Sequence, residues 1–319
     1  MSQQTIQTPT PPTTQLLEMF NADCYDRGLG EETVRHYSAY VKQFLGYLNG
    51  RGFSAVNVDK HVLADYIRLR REKIDQKNLQ KEFAGISGFF EYLIFQDYLG
   101  RNPVPGVRKR YLRQYKKETE GDVESSRKLL TIQEMSSLIN SIIDSRDKAI
   151  LTILAKTGVR RGELIAMDVT DINWVEQSIT LKPRKFKKRS GRTVFFDDET
   201  ASVLKRWLNQ RENMNPQTLA LFVGEKGDRL KRNGVYSMVL RYAKRVGLHN
   251  PNSLNPEDHF GPHACRVWFT THLRRAGMDR EFIKVLRGDR RREAIDIYDR
   301  IDREELKRSY LAFIPKLGI

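Results

Sequence analysis

Apolar positions in the first hundred residues recur three to four apart, the spacing of one helix face. Leu16, Leu17 and Phe20 open a first helix. Thr33, Tyr37, Tyr40, Val41, Phe44 and the Tyr47-Leu48 pair continue the rhythm, and Gly50 to Gly52 ends it. Val62, Tyr66, Ile67 and Leu69 predict a third helix, and Phe83, Ile86, Phe89-Phe90, Leu93 and Ile94 a fourth. Asn102-Pro103 and Pro105-Gly106 then stop the pattern, since proline removes a donor and glycine frees the backbone.

From Leu129 the pattern is mixed. Thr131 and Glu134 stand at the offset of a helix capping box. Ala149 to Ala155 reads as a buried helix broken at Gly158, with a new start near Gly162-Glu163-Leu164. Ser178 to Leu181 and Thr193 to Phe196 alternate as strands. Between them lies a hairpin, Lys182 to Arg192, with seven basic residues. Further helices are predicted over 203–208, 235–246, 267–275, 281–286 and 293–300. The expectation is a mostly α fold with a small β-sheet (α+β) in two domains. Residues 1–13, rich in Ser, Gln, Thr and Pro, form a disordered tail; 14–105 a helical domain; 106–127 a linker; 128–319 a second domain.

Charge adds a partner. The chain has 319 residues with 56 Lys+Arg against 40 Asp+Glu, a net +16, which favours a polyanion and above all nucleic acid. A membrane-surface role would need an amphipathic anchor helix or a lipidation signal, and neither is present; no apolar run reaches the ~20 residues of a membrane span. The start Met-Ser-Gln-Gln-Thr lacks the charged and apolar regions of a secretion signal. The two cysteines, Cys24 and Cys265, make neither a disulfide framework nor a zinc motif. A reducing, cytoplasmic setting fits. The linker carries Arg108, Lys109, Arg110, Arg113, Lys116 and Lys117, interleaved with Tyr111 and Tyr115. Such a run lies along phosphates or is a solvated charge run.

Three segments carry chemistry. Thr157-Gly158-Val159-Arg160 leads into Glu163-Leu164, placing an arginine at a turn ahead of a helix N-terminus, where guanidinium and backbone N–H groups face one anion. His263 and Arg266 stand three apart, as do His272 and Arg275. Tyr298 follows the turn Arg287-Gly288-Asp289. These segments resemble the tyrosine recombinase (phage integrase) family. Pro262 before His263, and Thr271-His272-Leu273 nine residues on, mark His263 and Arg266 as the family match; His272 is then a core or capping residue. Tyr298 lies at the family's distance from its Leu-Gly-His turn, whereas Tyr310 has no such turn before it and reads as packing.

The resemblance implies catalytic roles for Arg160, Arg266, His263 and Tyr298, with Glu163 supporting Arg160 and Arg161 a backbone contact or surface residue. It also implies a hairpin lysine about five residues before the arginine that opens the return strand. Counting back from Arg192 gives Lys187, with Lys185 and Lys188 as competitors. Arg184, Lys188 and Arg189 are DNA-backbone contacts on this reading, and the hairpin charges could all be so. Asp289 departs from the family's His or Trp. A carboxylate only accepts hydrogen bonds and repels phosphate, so Asp289 instead orients a neighbouring arginine or holds a catalytic one.

Two guanidiniums match the spreading charge of a phosphodiester under attack. A phenol of pKa ~10 needs His263 or the cationic field to lose its proton, and a lysine can protonate the leaving 5′ oxygen. The resemblance therefore implies a metal-, cofactor- and ATP-independent site-specific DNA recombinase acting through a 3′-phosphotyrosyl link. It implies an integrase or excisionase of a mobile element or virus, in a prokaryotic or virus-encoded, nucleoid-associated setting. The first domain would be the helical core-binding (SAM-like) domain and the second the catalytic one. The pair would clamp double-stranded DNA, as a tetramer on DNA and a monomer or dimer free of it. The C-terminal residues 304–319 pack either on their own domain or on a neighbouring subunit. A type IB topoisomerase-like enzyme and a catalytically inactive DNA-binding protein remain as alternatives.

Overall fold

The computed structural model describes residues 11–113, 129–183, 191–253, 255–289 and 301–319. The chain divides into two units, Met1–Glu120 and Gly121–Ile319.

Four helices build the first unit: α1 (Thr13–Asp26), α2 (Glu31–Asn49), α3 (Lys60–Arg71) and α4 (Gln76–Phe95). Their apolar faces meet in an aromatic core in which Phe20, Phe44, Tyr66, Phe83, Phe89 and Phe90 are all fully buried. Leu69, counted with the third helix, lies in α3 but on its exposed side. Glu82, at 0% exposure, accepts both Nε and Nη2 of Arg70 and the Tyr66 hydroxyl. That satisfies a charge whose burial alone would be costly.

Residues 104–112 pack with the first unit, past the stop that the Pro and Gly positions suggest. Pro105 sits at the second position of a short helix, α5 (Val104–Val107), where its missing N–H costs nothing. A π-helical turn, Arg108–Leu112, follows. Val104, Val107 and Leu112 are buried in the first core, and the Leu112 carbonyl accepts from Gln80. Lys109, Arg110 and Arg113 remain exposed on this segment and Arg108 is half-buried, while Lys116 and Lys117 lie outside the described residues.

The second unit forms around α7 (Ser145–Thr157), whose residues from Ala149 to Thr157 are all buried. Ahead of it, α6 (Ile132–Asn140) starts on the expected capping box of Thr131 and Glu134. After α7 come α8 (Arg161–Leu164) and a three-stranded antiparallel sheet, β1 (Ile172–Asn173), β2 (Ser178–Leu181) and β3 (Arg192–Phe195). Ile179 pairs with Val194 in the β2–β3 ladder. The two-residue β1, pairing Ile172 with Ile179, was not expected; two residues are too few to show alternation. The remaining helices are α9 (Asp198–Asn213), α10 (Arg232–Arg245), α11 (Pro262–Ala276), α12 (Arg280–Arg287) and α13 (Arg303–Phe313). Of these, α9 and α12 start earlier than their apolar cores suggest because polar caps extend them: Asp197 accepts Thr200 N–H and Asp279 accepts Glu281 N–H. The helix expected over 293–300 falls outside the described residues.

The chain's end packs on its own domain. Tyr310 is fully buried and donates its hydroxyl to the Lys156 carbonyl at 3.0 Å. Lys156, also at 0% exposure, donates to Asp197 (2.6 Å), Glu199 (2.5 Å) and the Pro315 carbonyl (2.6 Å). Glu199 in turn accepts the backbone N–H of Leu317 at 2.9 Å and of Gly318 at 2.6 Å. His272 is a core residue, bonded to the Leu130 carbonyl at 2.9 Å. Each unit buries one cysteine, Cys24 in the first and Cys265 in the second. Burial pushes both thiols up, Cys265 to about 12.

Candidate active site

Two left-handed glycines set the site. Gly158 caps α7 with φ of +59°, and a Cβ there would meet Phe269 Cδ1 at 2.4 Å. Only glycine turns the chain here, and the turn delivers Arg160 in extended conformation at the start of α8. Gly288 caps α12 with φ of +62°, and a Cβ there would meet Arg192 Nη1 at 2.7 Å. This turn projects the Arg287 carbonyl and the Asp289 carboxylate into the same space.

Arg160 and Arg266 converge on that turn. Arg160 donates Nη1 to the Arg287 carbonyl at 3.0 Å and Nη2 to Asp289 Oδ1 at 3.2 Å. Arg266, on α11, donates Nη2 to the same carbonyl at 2.8 Å and to the same Oδ1 at 3.0 Å. Its Nη1 is held by the Gly158 carbonyl at 2.7 Å. Asp289 Oδ2 forms an ion pair with Arg287 Nε at 3.0 Å. One carboxylate oxygen thus bridges two guanidiniums.

Glu163 is the second acid. It accepts Arg160 N–H at 2.8 Å, Arg160 Nη1 at 3.3 Å, and both Arg192 terminal nitrogens at 3.1 and 2.9 Å. Arg192 also donates Nε to the Leu286 carbonyl at 2.8 Å, tying β3 to α12. Its basic character was visible in the sequence, but there it marked only the start of the return strand. Four guanidiniums (Arg160, Arg192, Arg266, Arg287) therefore surround two carboxylates, an excess of positive charge. Burial, then the neighbouring Arg160 and Arg287, weaken the hold of Arg266 on its proton, and Asp289 offsets this. The site is thus short of negative charge, the condition that favours an incoming anion.

Burial alone would raise the Glu163 carboxyl. Hydrogen bonds and charge from Arg192, with the Arg160 backbone N–H, outweigh it and hold the group down at about 2. A depressed carboxyl contributes stability above its unfolded value and loses it as pH falls through the folded one. Between the ordinary 4.5 and about 2, this amounts to roughly 3 kcal/mol. Glu163→Gln is therefore expected to destabilise the second unit at pH 7 and to flatten its loss of stability between pH 4.5 and 2. Chemical denaturation midpoints measured across that window check it; parallel curves for the two proteins would refute it.

His263 lies in the first turn of α11, is exposed, and borders an open cavity of about 310 Å³ shared with Arg160, Arg161 and Arg266. The same cavity is walled by His249 and His259, their rings 5.4 Å apart. No motif had singled out either histidine, since both come from irregular chain between α10 and α11. Burial, then His259, lowers the pKa of His249. Arg161 lies over the Tyr236 ring at 5.5 Å, so packing accounts for a residue expected at the surface or on DNA. Tyr298, Lys185, Lys187, Lys188, Arg184 and Arg189 lie outside the described residues.

A mainly helical chain in which two arginines meet one anionic oxygen, with a histidine on the adjoining cavity wall and a glutamate bonded to one arginine, has the composition of a site for an anionic substrate. Known proteins agree. The phage integrase family model matches residues 128–305. Tyrosine recombinase XerC of Herpetosiphon aurantiacus is 26% identical over 303 residues, covering 91% of this chain and 92% of that one. Tyrosine recombinase XerD of Ralstonia nicotianae is 25% identical over 315 residues, covering 97% of each chain. The fold is similar to that of the XerH site-specific recombinase solved with its difH substrate (TM-score 0.64, 19% identity, covering 94% of this chain and 82% of that one). It is likewise similar to a lambda integrase dimer on a core site (TM-score 0.63, 16% identity, covering 91% and 98%). The chain belongs to the phage integrase family and is a tyrosine-type, site-specific DNA recombinase.

Proposed function

We propose that this recombinase integrates and excises the DNA of a mobile element or virus, with Tyr298 as nucleophile and Arg160 and Arg266 as the seat of the scissile phosphate. The observation that carries the reading is the convergence of both guanidiniums on one anionic oxygen, at 3.2 and 3.0 Å. A phosphodiester under attack gains charge on its non-bridging oxygens, and paired charge-assisted donors favour that state over the ground state. Tyr298 Oη attacks phosphorus and gives up its proton to His263. The bond to the 5′ oxygen breaks, and Lys187, or Lys185 in its stead, supplies the proton that oxygen needs. The 3′-phosphotyrosyl link conserves the bond energy, so a 5′-hydroxyl from a second strand resolves it without nucleotide hydrolysis. Glu163 and Arg192 position Arg160 rather than touch DNA.

The partner is double-stranded DNA, bound by the first unit as a core-binding domain and by the second as the catalytic one. Exposed Lys109, Arg110 and Arg113, together with Arg108, Lys116, Lys117 and the hairpin Arg184, Lys188 and Arg189, lie along phosphates. Assembly on DNA is a tetramer. The site of action is the cytoplasm, where a prokaryotic or virus-encoded recombinase meets its DNA.

A nicked suicide duplex carrying the cognate site tests the chemistry. The wild type traps a covalent protein–DNA adduct, and Tyr298→Phe traps none while binding the duplex about as tightly. An undiminished adduct from Tyr298→Phe would sink the assignment. Strand exchange between two sites, rather than relaxation of one plasmid, separates a recombinase role from topoisomerase behaviour. Junction amplification showing an excised circle and a rejoined empty site tests the mobile-element role.

A further inference from the structure

We infer that Asp289 is a built-in stand-in for the DNA phosphate: free of DNA, its carboxylate fills the seat between Arg160 and Arg266, and the scissile phosphate must displace it before cleavage. This rests on the proposed role of the two arginines as the phosphate seat.

Geometry is the first support. Asp289 Oδ1 lies 3.2 Å from Arg160 Nη2 and 3.0 Å from Arg266 Nη2, the arrangement in which two guanidiniums share one phosphate oxygen. A carboxylate and a phosphate cannot both use those two nitrogens. Two anions crowded against the same donors also repel each other.

The second support is which partner can leave. Arg266 is 4% exposed and has carbonyl acceptors at Gly158 and Arg287 that do not depend on Asp289. Arg160 likewise keeps Glu163 and the Arg287 carbonyl. Both guanidiniums stay aimed without the carboxylate, so Asp289 is not what holds them. The Asp289 side chain is 28% exposed, so its carboxylate can leave the seat by a change of rotamer while the left-handed Gly288 turn stays in place. Arg287 Nε, 3.0 Å from Oδ2, offers a partner to a carboxylate that has left the seat.

The chemical consequence is selectivity. A seat whose two facing donors are already occupied by its own carboxylate binds small anions and chance phosphates poorly, although the site as a whole stays positive. A duplex that engages both units supplies enough binding energy to drive the exchange.

Inorganic sulfate is the probe, with the full-length protein and no DNA. Titrated at constant ionic strength against chloride, sulfate is expected to bind Asp289→Asn about tenfold more tightly than wild type, the scale of one partly buried charge pair. Adding Arg160→Gln to Asp289→Asn should remove the gain. On the suicide duplex, Asp289→Asn should form adduct faster at limiting DNA. Asp289→Ser provides a second variant if asparagine folds poorly. Equal sulfate affinity in wild type and both variants overturns the proposal. So does loss of adduct by folded Asp289→Asn, which would make Asp289 a positioning residue for the arginines. Failure of the phosphate-seat reading itself is seen separately, as an Arg266→Gln protein that still forms adduct at the wild-type rate.

Discussion

Replacing Arg266 by glutamine is expected to slow adduct formation by about a thousandfold, the upper range for removing one preorganised donor to a developing oxyanion. Duplex affinity should fall far less, because most phosphate contacts lie elsewhere and are additive over the whole site. The asymmetry follows from where Arg266 sits. It is 4% exposed and its guanidinium is fixed by the Gly158 and Arg287 carbonyls, so it costs nothing to reorganise during the reaction. Glutamine keeps much of the volume but lacks the planar fork and the charge. Single-turnover cleavage on the suicide duplex and equilibrium binding to an unnicked one give the two numbers. A cleavage defect below tenfold would refute the role, and a thermal melt on the same sample excludes loss of fold.

The second large effect concerns Gly158→Ala. Left-handed backbone costs a residue with Cβ about 1–2 kcal/mol, and overpacking a core adds about 1–3 kcal/mol. Here the new Cβ would lie 2.4 Å from Phe269 Cδ1 and 2.8 Å from Cγ, and Phe269 is fully buried, so the ring has nowhere to retreat. For a unit of this size the sum lowers the melting temperature by about 5–15 °C. Activity should fall further than stability, since the Gly158 carbonyl holds Arg266 Nη1 at 2.7 Å. A melting temperature within 2 °C of wild type (about half a kcal/mol) would show that the turn relaxes and that the contact is soft.

The helices were legible in the sequence because their apolar positions are periodic and their caps are ordinary: Thr131 and Glu134 form the box that their offset suggests. Segment 104–112 was not, because Pro105 and Gly106 read as a stop while Val107 and Leu112 were too few to outweigh them. Arg160, Glu163 and Arg266 could be read because each sits in a spaced pattern. Arg192 could not be assigned as a site residue, since its task is set by a carboxylate 29 positions away and a carbonyl 94 positions away. His249 and His259 share a cavity wall without sharing a motif. Asp289 shows both sides. Its mismatch with the family was plain in the chain, and the reading that it holds or orients an arginine pointed to the right partners. Only the folded turn at Gly288 shows that one oxygen spans two of them.

The two buried cysteines make the protein its own unfolding reporter. The chain has two thiols, one inside each unit, both pushed up by burial and so unreactive as thiolates while folded. Alkylation of Cys24 therefore times the opening of the first helical core, and alkylation of Cys265 that of the second. Mass spectrometry of the two labelled peptides yields two clocks from one sample, with no engineered label. If DNA quiets one clock and not the other, the energy of recognition is entering that core alone.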